Sequence, residues 1–230
     1  MINQLSAALW LVAGLVFLPF VPCHSPSEFD EGSDNYVVTA EGQWEKLWEN
    51  PKLMVWQRWL TLNHERKIRQ RKCQMMLRAS MKDIVGLIGN HRRATEWMSM
   101  VDTVELLGRS GNTWFTLAHY RMPWPLRDKM LSSRLELNTM FDSHMAIIDI
   151  ESDNSRIKGR GQVNDFGSFH GRWVVVELGS ELCFTEFTAY STSIPLFPRW
   201  LQDPIVDRAF LNTMEQFVAV VHDKKQVKQR

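Results

Sequence analysis

Alternation of apolar and polar positions dominates the chain beyond residue 100. Val101–Leu107, Thr113–Arg121, Met130–Leu137, His144–Ile150, Gly171–Leu178 and Glu181–Ser191 each read as a strand. Gly111-Asn112 and Gly179-Ser180 separate neighbouring runs at hairpin-turn length. Ser152–Ser155 is a longer turn. Leu53–Leu62 and Gln70–Ala79 read as two earlier strands. Helical spacing replaces alternation in three places. Trp44, Leu47 and Trp48 predict a short helix over Gln43–Asn50. Ser80 is an N-cap residue with Asp83 three positions on, ahead of the stripe Ile84, Val85, Leu87 and Ile88 and a stop at Gly89-Asn90. Asp203 as N-cap and Pro204 at the first helical position open a long helix. Val206, Phe210, Met214, Phe217 and Val221 form its apolar stripe, and His222, Lys224 and Lys225 suit its C-terminal end. Helices and antiparallel strands segregated in this order predict an α+β domain over residues 43–223. The long helix would lie on a curved sheet, followed by a basic tail at 224–230.

The N-terminus follows neither pattern. Ser6–Val21 is almost wholly apolar, and no charged side chain occurs between Met1 and Glu28. The stretch is short for a membrane span of about 20 residues, and Pro19 and Pro22 stop a helix. It reads as a signal peptide over residues 1–23, cleaved near Cys23 or Ser25, or as an uncleaved anchor through residues 6–22. Either reading implies export to a periplasmic or extracellular compartment. Residues 24–42, with Glu28, Asp30, Glu31, Gly32 and Asp34, read as a polar tether.

Charge narrows the partners. Lys plus Arg number 27 against 26 Asp plus Glu, a net charge of +1. That excludes nucleic-acid binding by bulk charge. The run from His64 to Lys72 is basic and reads as a linker between strands, either a solvated hairpin edge or a contact with an anionic membrane surface. Ten Trp and twelve Phe against three Tyr imply a large core, a lined pocket or a membrane contact. Cys73 and Cys183 sit on strands, and two buried free thiols are the simpler reading over a bridge.

Catalytic and metal motifs begin and break off. His64-Glu65 lacks the second His of a zinc helix, because Ile68 stands there. Gly159-Arg-Gly161 lacks the third glycine and the following helix of a dinucleotide site. Gly167-Ser-Phe-His-Gly171 has neither the order nor the context of a nucleophile elbow. No catalytic residue, metal ligand or cofactor is assigned. The distinctive segment is Pro123-Trp-Pro-Leu-Arg-Asp128, where two prolines would hold Trp124 as a rigid apolar plug at a corner. Arg127 and Asp128 would tie that corner to backbone or to each other.

P-W-P-L-R-D after Ala118-His-Tyr120 resembles the START family of lipid-transfer domains, especially its bacterial members. Trp97, the segment Phe169–Trp173 and the segment Ile194–Trp200 resemble further pieces in the same order, so the likeness spans about Trp44 to Val221. It implies a helix-grip fold, a curved sheet wrapped around the C-terminal helix with an apolar tunnel between. It also implies non-covalent binding of one lipid or lipid-like ligand there, possible transfer of it, and transient membrane contact. On this reading Phe210, Met214 and Phe217 line the tunnel, and Thr116, His119 and Tyr120 are polar selectors. Sterol-binding members carry a basic residue six positions after the Arg of the R-D pair; Ser133 stands there, which leaves the ligand open. Two other readings of the chain are a cyclase/aromatase-like enzyme using the same cavity and a membrane-anchored interaction module.

Overall fold

Each alternating run pairs with its neighbour, because one face of every strand is apolar and must be covered. The computed structural model describes residues 38–63, 65–124, 126–140, 144–157 and 166–228. The strands are β1 (Val38–Glu49), β2 (Leu53–Leu62), β3 (Arg66–Leu77), β4 (Val101–Ser110), β5 (Thr113–Tyr120), β6 (Lys129–Met140), β7 (Met145–Ser152), β8 (Phe169–Gly179) and β9 (Leu182–Ser191). Between β3 and β4 come α1 (Met81–Ile88) and a 3₁₀ turn (His91–Glu96); α2 (Arg199–Lys228) closes the chain. The strands form one antiparallel sheet in the order β1-β2-β3-β9-β8-β7-β6-β5-β4. The one non-local connection carries the chain through α1 from β3 to the far edge.

The core lies on the helix-facing side of this sheet. α2 contributes Leu211, Met214, Phe217, Val218 and Val221, and α1 contributes Ile84, Leu87 and Ile88. Against them stand Val55, Cys73, Ile148, Trp173 and Val175 from four strands. Each such side chain contributes about 1.5–3 kcal/mol by leaving water. The Ser80 cap forms: its Oγ accepts from Asp83 N at 3.2 Å.

Five expectations are corrected here. Residues 43–50 are not a helix; they belong to β1, paired with β2. Gly42 at φ +91° sits within an irregularity between Glu41 and Glu45. A second irregularity between Lys46 and Trp48 puts Trp44 and Trp48 on opposite faces. The local helical spacing lost to the ladder offered by β2, and Trp44 packs under Arg58 and Lys72, at 4.5 and 4.3 Å from its ring. The basic run is not a linker: from Arg66 it is the first half of β3, an interior strand. β1 begins at Val38, so the tether does not reach residue 42. α2 begins at Arg199, not Pro204, because the Pro198 carbonyl accepts from Leu201 and Gln202 N–H and starts the first turn earlier. Its C-terminal end runs to Lys228, so the basic tail is mostly helix.

Cys73 and Cys183 are free and buried. Cys73 pairs with Phe187, and Cys183 with Leu77. Four ladder positions at about 3.3 Å each exceed the roughly 7 Å limit between bridgeable Cα atoms. Burial raises their thiols to about 12 and about 11. The leader, its Cys23 and the Gly159–Asn164 segment lie outside the described residues.

Candidate functional site

The seam between α2 and the sheet changes character along its length. At its inner end it is solid. Phe217 and Met214 are 0% exposed. The Phe217 ring lies 5.0 Å from Trp97, edge-on, and 4.8 Å from Trp173. Further along α2, Phe210 is only partly buried, as are Leu135, Ile150 and Ala189 on the facing strands. Phe187 bridges the two zones, stacked at 4.4 Å on Trp173 and at 6.0 Å on Phe210. A Cβ added at Gly171 would meet the Phe169, Ile150 and Phe187 side chains at 3.2–3.4 Å, so this stack needs glycine beneath it.

Next to the apolar zone, β5 and β6 set a pair of hydroxyls among the helix-facing positions, with Ala118 and Leu131 beyond them. Thr116 and Ser133, 9% and 6% exposed, share a hydrogen bond of 3.1 Å. Ser152 is the next cross-strand neighbour on β7. On the other side of the seam, β3 places Arg69 and Arg71 toward α2. Arg71 donates to Asp207 Oδ1 through Nε at 2.7 Å and lies 2.6 Å from it through Nη2. Arg69 donates to Gln57 Oε1 at 2.7 Å and stands 3.5 Å from Asp203. Arg69 and Arg199 both lie over the Trp59 ring, at 4.6 and 5.3 Å. Asp203 and Asp207 are one helical turn apart, and Arg69 and Arg71 share a strand face, so two periodicities meet in one strut across the seam.

The structure divides the candidates that sequence grouped. Thr116 and Tyr120 face the helix, whereas His119, at the odd position between them, points to the opposite face, on the side of Leu117 and Ile157. Met214 and Phe217 pack the core; Phe210 alone of the three borders the half-buried zone. Tyr120 packs edge-on against Phe166 at 5.0 Å, and burial pushes its hydroxyl up to about 12. Trp124 is no plug: it is 91% exposed. The corner around it does form, since Leu126 N–H bonds Pro123 O at 2.9 Å and Asp128 Oδ1 accepts from Met122 N at 2.9 Å. Arg127 is exposed. Sequence reasoning missed Ser133 as a hydroxyl partner, the Phe187 stack and the Arg–Asp strut.

The fold has known counterparts. Human STARD10 superposes with a TM-score of 0.66 at 15% identity, over 81% of this chain and 76% of that one. The fold is that of START domains. A STAR-related lipid transfer protein from Xanthomonas axonopodis matches at TM-score 0.64 and 16% identity, over 78% of this chain and 98% of the other. An aromatase/cyclase from a Streptomyces species is more distant, at TM-score 0.53 and 11% identity, over 67% of this chain and 94% of the other. No protein-family model and no curated relative matches the sequence. The START-like helix-grip matches the expected architecture. Two open pockets, of about 410 and 300 Å³, lie at the opposite end of the sheet; the second touches α2 at Glu215 and Val218, and neither includes a residue of the half-buried zone.

The mouth of the seam has its own surface. Because all neighbouring strands are antiparallel, the β5–β6, β9–α2 and β2–β3 connections share one end of the sheet. Trp124, Ile194, Leu196 and Trp200 project there, 91, 70, 62 and 77% exposed. Arg66, Lys67, Arg127 and Arg199 belong to the same connections or their edges.

Proposed function

We propose that this protein binds one hydrophobic ligand, a lipid or lipid-like molecule, without covalent chemistry, in the outer half of the seam between α2 and the sheet. The observation that carries this is the change from solid core to half-buried apolar surface along one continuous seam. Leu135, Ile150, Ala189 and Phe210 would gain by being covered, at about 25 cal/mol per Å². The START-like fold supports the reading. Ligand loading would occur at a membrane, with the exposed Trp and Leu side chains at the mouth entering the interface and the neighbouring cations meeting anionic headgroups. Residues 1–23 would export the protein, and the seam would serve to carry or hold its ligand.

Native mass spectrometry of the purified chain tests this directly. Recovery of an unmodified lipid at one per protein supports it. Absence of any bound lipid, and no uptake of a fluorescent lipid, sinks it. A polyketide-like substrate returned cyclised would establish the enzymatic alternative instead.

A further inference from the structure

The hydroxyl pair in the seam carries information about the ligand's polar end. Thr116 and Ser133 are more than nine-tenths buried, and their shared bond is the hydrogen bond each side-chain hydroxyl makes among the described residues. Two hydroxyls bring two hydrogens, and their mutual bond uses one. The second O–H is left without an acceptor in a place shielded from water, where an unmet donor is costly. Two positions further along the same strand face stands Leu135, in the half-buried apolar zone. The free donor therefore sits where the polar end of a ligand lying in that zone would arrive.

Charge decides what kind of polar end it is. Inward of Tyr120 and Lys129, the helix-facing positions of β5 through β8 carry apolar or hydroxyl side chains as far as Val175. The cations that do face the seam are engaged. Arg71, 12% exposed, gives two donors to Asp207, and Arg69 lies between Gln57, Asp203 and Asp207. Arg199 is 37% exposed at the mouth and donates to Lys67 O. A phosphate or carboxylate entering the seam would meet Arg69 and Arg71 already engaged by Asp203 and Asp207, and burying such a charge is unfavourable.

Resting on the ligand-binding reading above, we infer that the ligand is a lipid with an uncharged polar end whose carbonyl or hydroxyl oxygen accepts a hydrogen bond from the Thr116–Ser133 pair. The Arg71–Asp207 strut makes the site discriminate against anionic lipids.

The test uses a matched pair of lipids, 1,2-dioleoylglycerol and 1,2-dioleoyl phosphatidic acid, which differ only by the phosphate. Each is titrated into the delipidated full-length chain. Dioleoylglycerol is expected to bind one per protein and at least tenfold more tightly. Thr116→Val with Ser133→Ala weakens dioleoylglycerol about five- to tenfold, the equivalent of one lost hydrogen bond. Thr116→Ser, which keeps the donor, retains affinity, and melting curves show that each variant is folded. Asp207→Asn frees the Arg71 charge and raises phosphatidic acid affinity about tenfold. Equal binding of the two lipids by the wild type overturns the inference, and so does a folded double variant with unchanged affinity. Failure to bind either lipid while another lipid co-purifies also overturns it, but leaves the ligand-binding reading standing. If no lipid binds at all, that reading fails and takes the inference with it.

Discussion

Truncating Phe217 and Phe210 separates packing from lining. Both lie on the same stripe of α2, seven residues apart, yet Phe217 is 0% exposed while Phe210 is only partly buried. Phe217→Ala removes a ring held between Trp97 and Trp173, whose centroids are 5.0 and 4.8 Å away. Sheet and helix are both fixed there, so the space cannot collapse. The loss is about 4 kcal/mol, within the usual 3–5 for a buried Phe. For a domain of this size that lowers Tm by about 8–16 °C. Phe210→Ala removes a ring whose main partner is Phe187 at 6.0 Å. Its burial is incomplete, so the cost is about 1–2 kcal/mol. The functional effects run the other way. Phe210→Ala widens the outer seam and shifts the bound ligand toward longer or bulkier chains, whereas Phe217→Ala leaves the chain-length preference unchanged. Chemical denaturation gives the energies, and native mass spectrometry with a chain-length series gives the preference. A Phe217→Ala cost under about 2 kcal/mol, or equal costs for the two variants, would refute the division into solid and open halves.

The strut can be measured by a double-mutant cycle. Arg71→Ala and Asp207→Ala are expected to couple by about 1.5–2 kcal/mol, because both side chains are largely shielded, and additivity within about 0.5 kcal/mol would refute it. Gly167, at φ +63°, has Thr192 Oγ1 only 2.8 Å from where a Cβ would stand, so Gly167→Ala costs about 2–4 kcal/mol in urea denaturation. Tyr120 and Tyr190 titrate near 12 in the folded protein against about 10 unfolded, so stability is intact below pH 10 and falls between 10 and 12, which Tm against pH and tyrosinate absorbance follow together. His170, held low first by burial, gives the opposite dependence: its contribution is present above about pH 6.5 and is lost as pH falls, and His170→Gln flattens that acid limb. Trp124→Ser with Trp200→Ser is expected to weaken binding to anionic vesicles about tenfold or more while leaving Tm within a degree or two; unchanged sedimentation with vesicles would remove the mouth from the membrane contact.

Eight of the strands, both hairpin glycines and the Ser80 cap were legible, since alternation and turn chemistry act over a few neighbouring residues. The misreadings have one cause. At 43–50 the spacing of Trp44, Leu47 and Trp48 fits a helix, but the edge of β2 offers a hydrogen-bond ladder and Arg58 and Lys72 offer ring contacts. The run 66–72 looks like a solvated linker because its charges are dense. On β3 they are split, with Arg69 and Arg71 toward α2 and Gln70 and Lys72 toward the other face, where Arg58 and Trp44 meet them. Within the site, Thr116, Tyr120 and Phe210 were legible as candidates. His119 was misplaced because a list of polar residues ignores the period of two that sends neighbours to opposite faces.

Sequence alone determined the α+β class, the strand order along the chain and the stripe of α2, because these depend on local geometry and on which face must leave water. Tertiary structure decided what each buried residue does. Phe210 and Phe217 are chemically identical and share one stripe; only the approach of Trp97 and Trp173 seals one and leaves the other at an open seam. Asp203 reads as a helix N-cap until β3, more than 130 residues earlier, brings Arg69 to it and Arg71 to Asp207. Long-range pairing carries no signature in the neighbouring residues, so the charge balance of the seam could be seen only when the chain was folded.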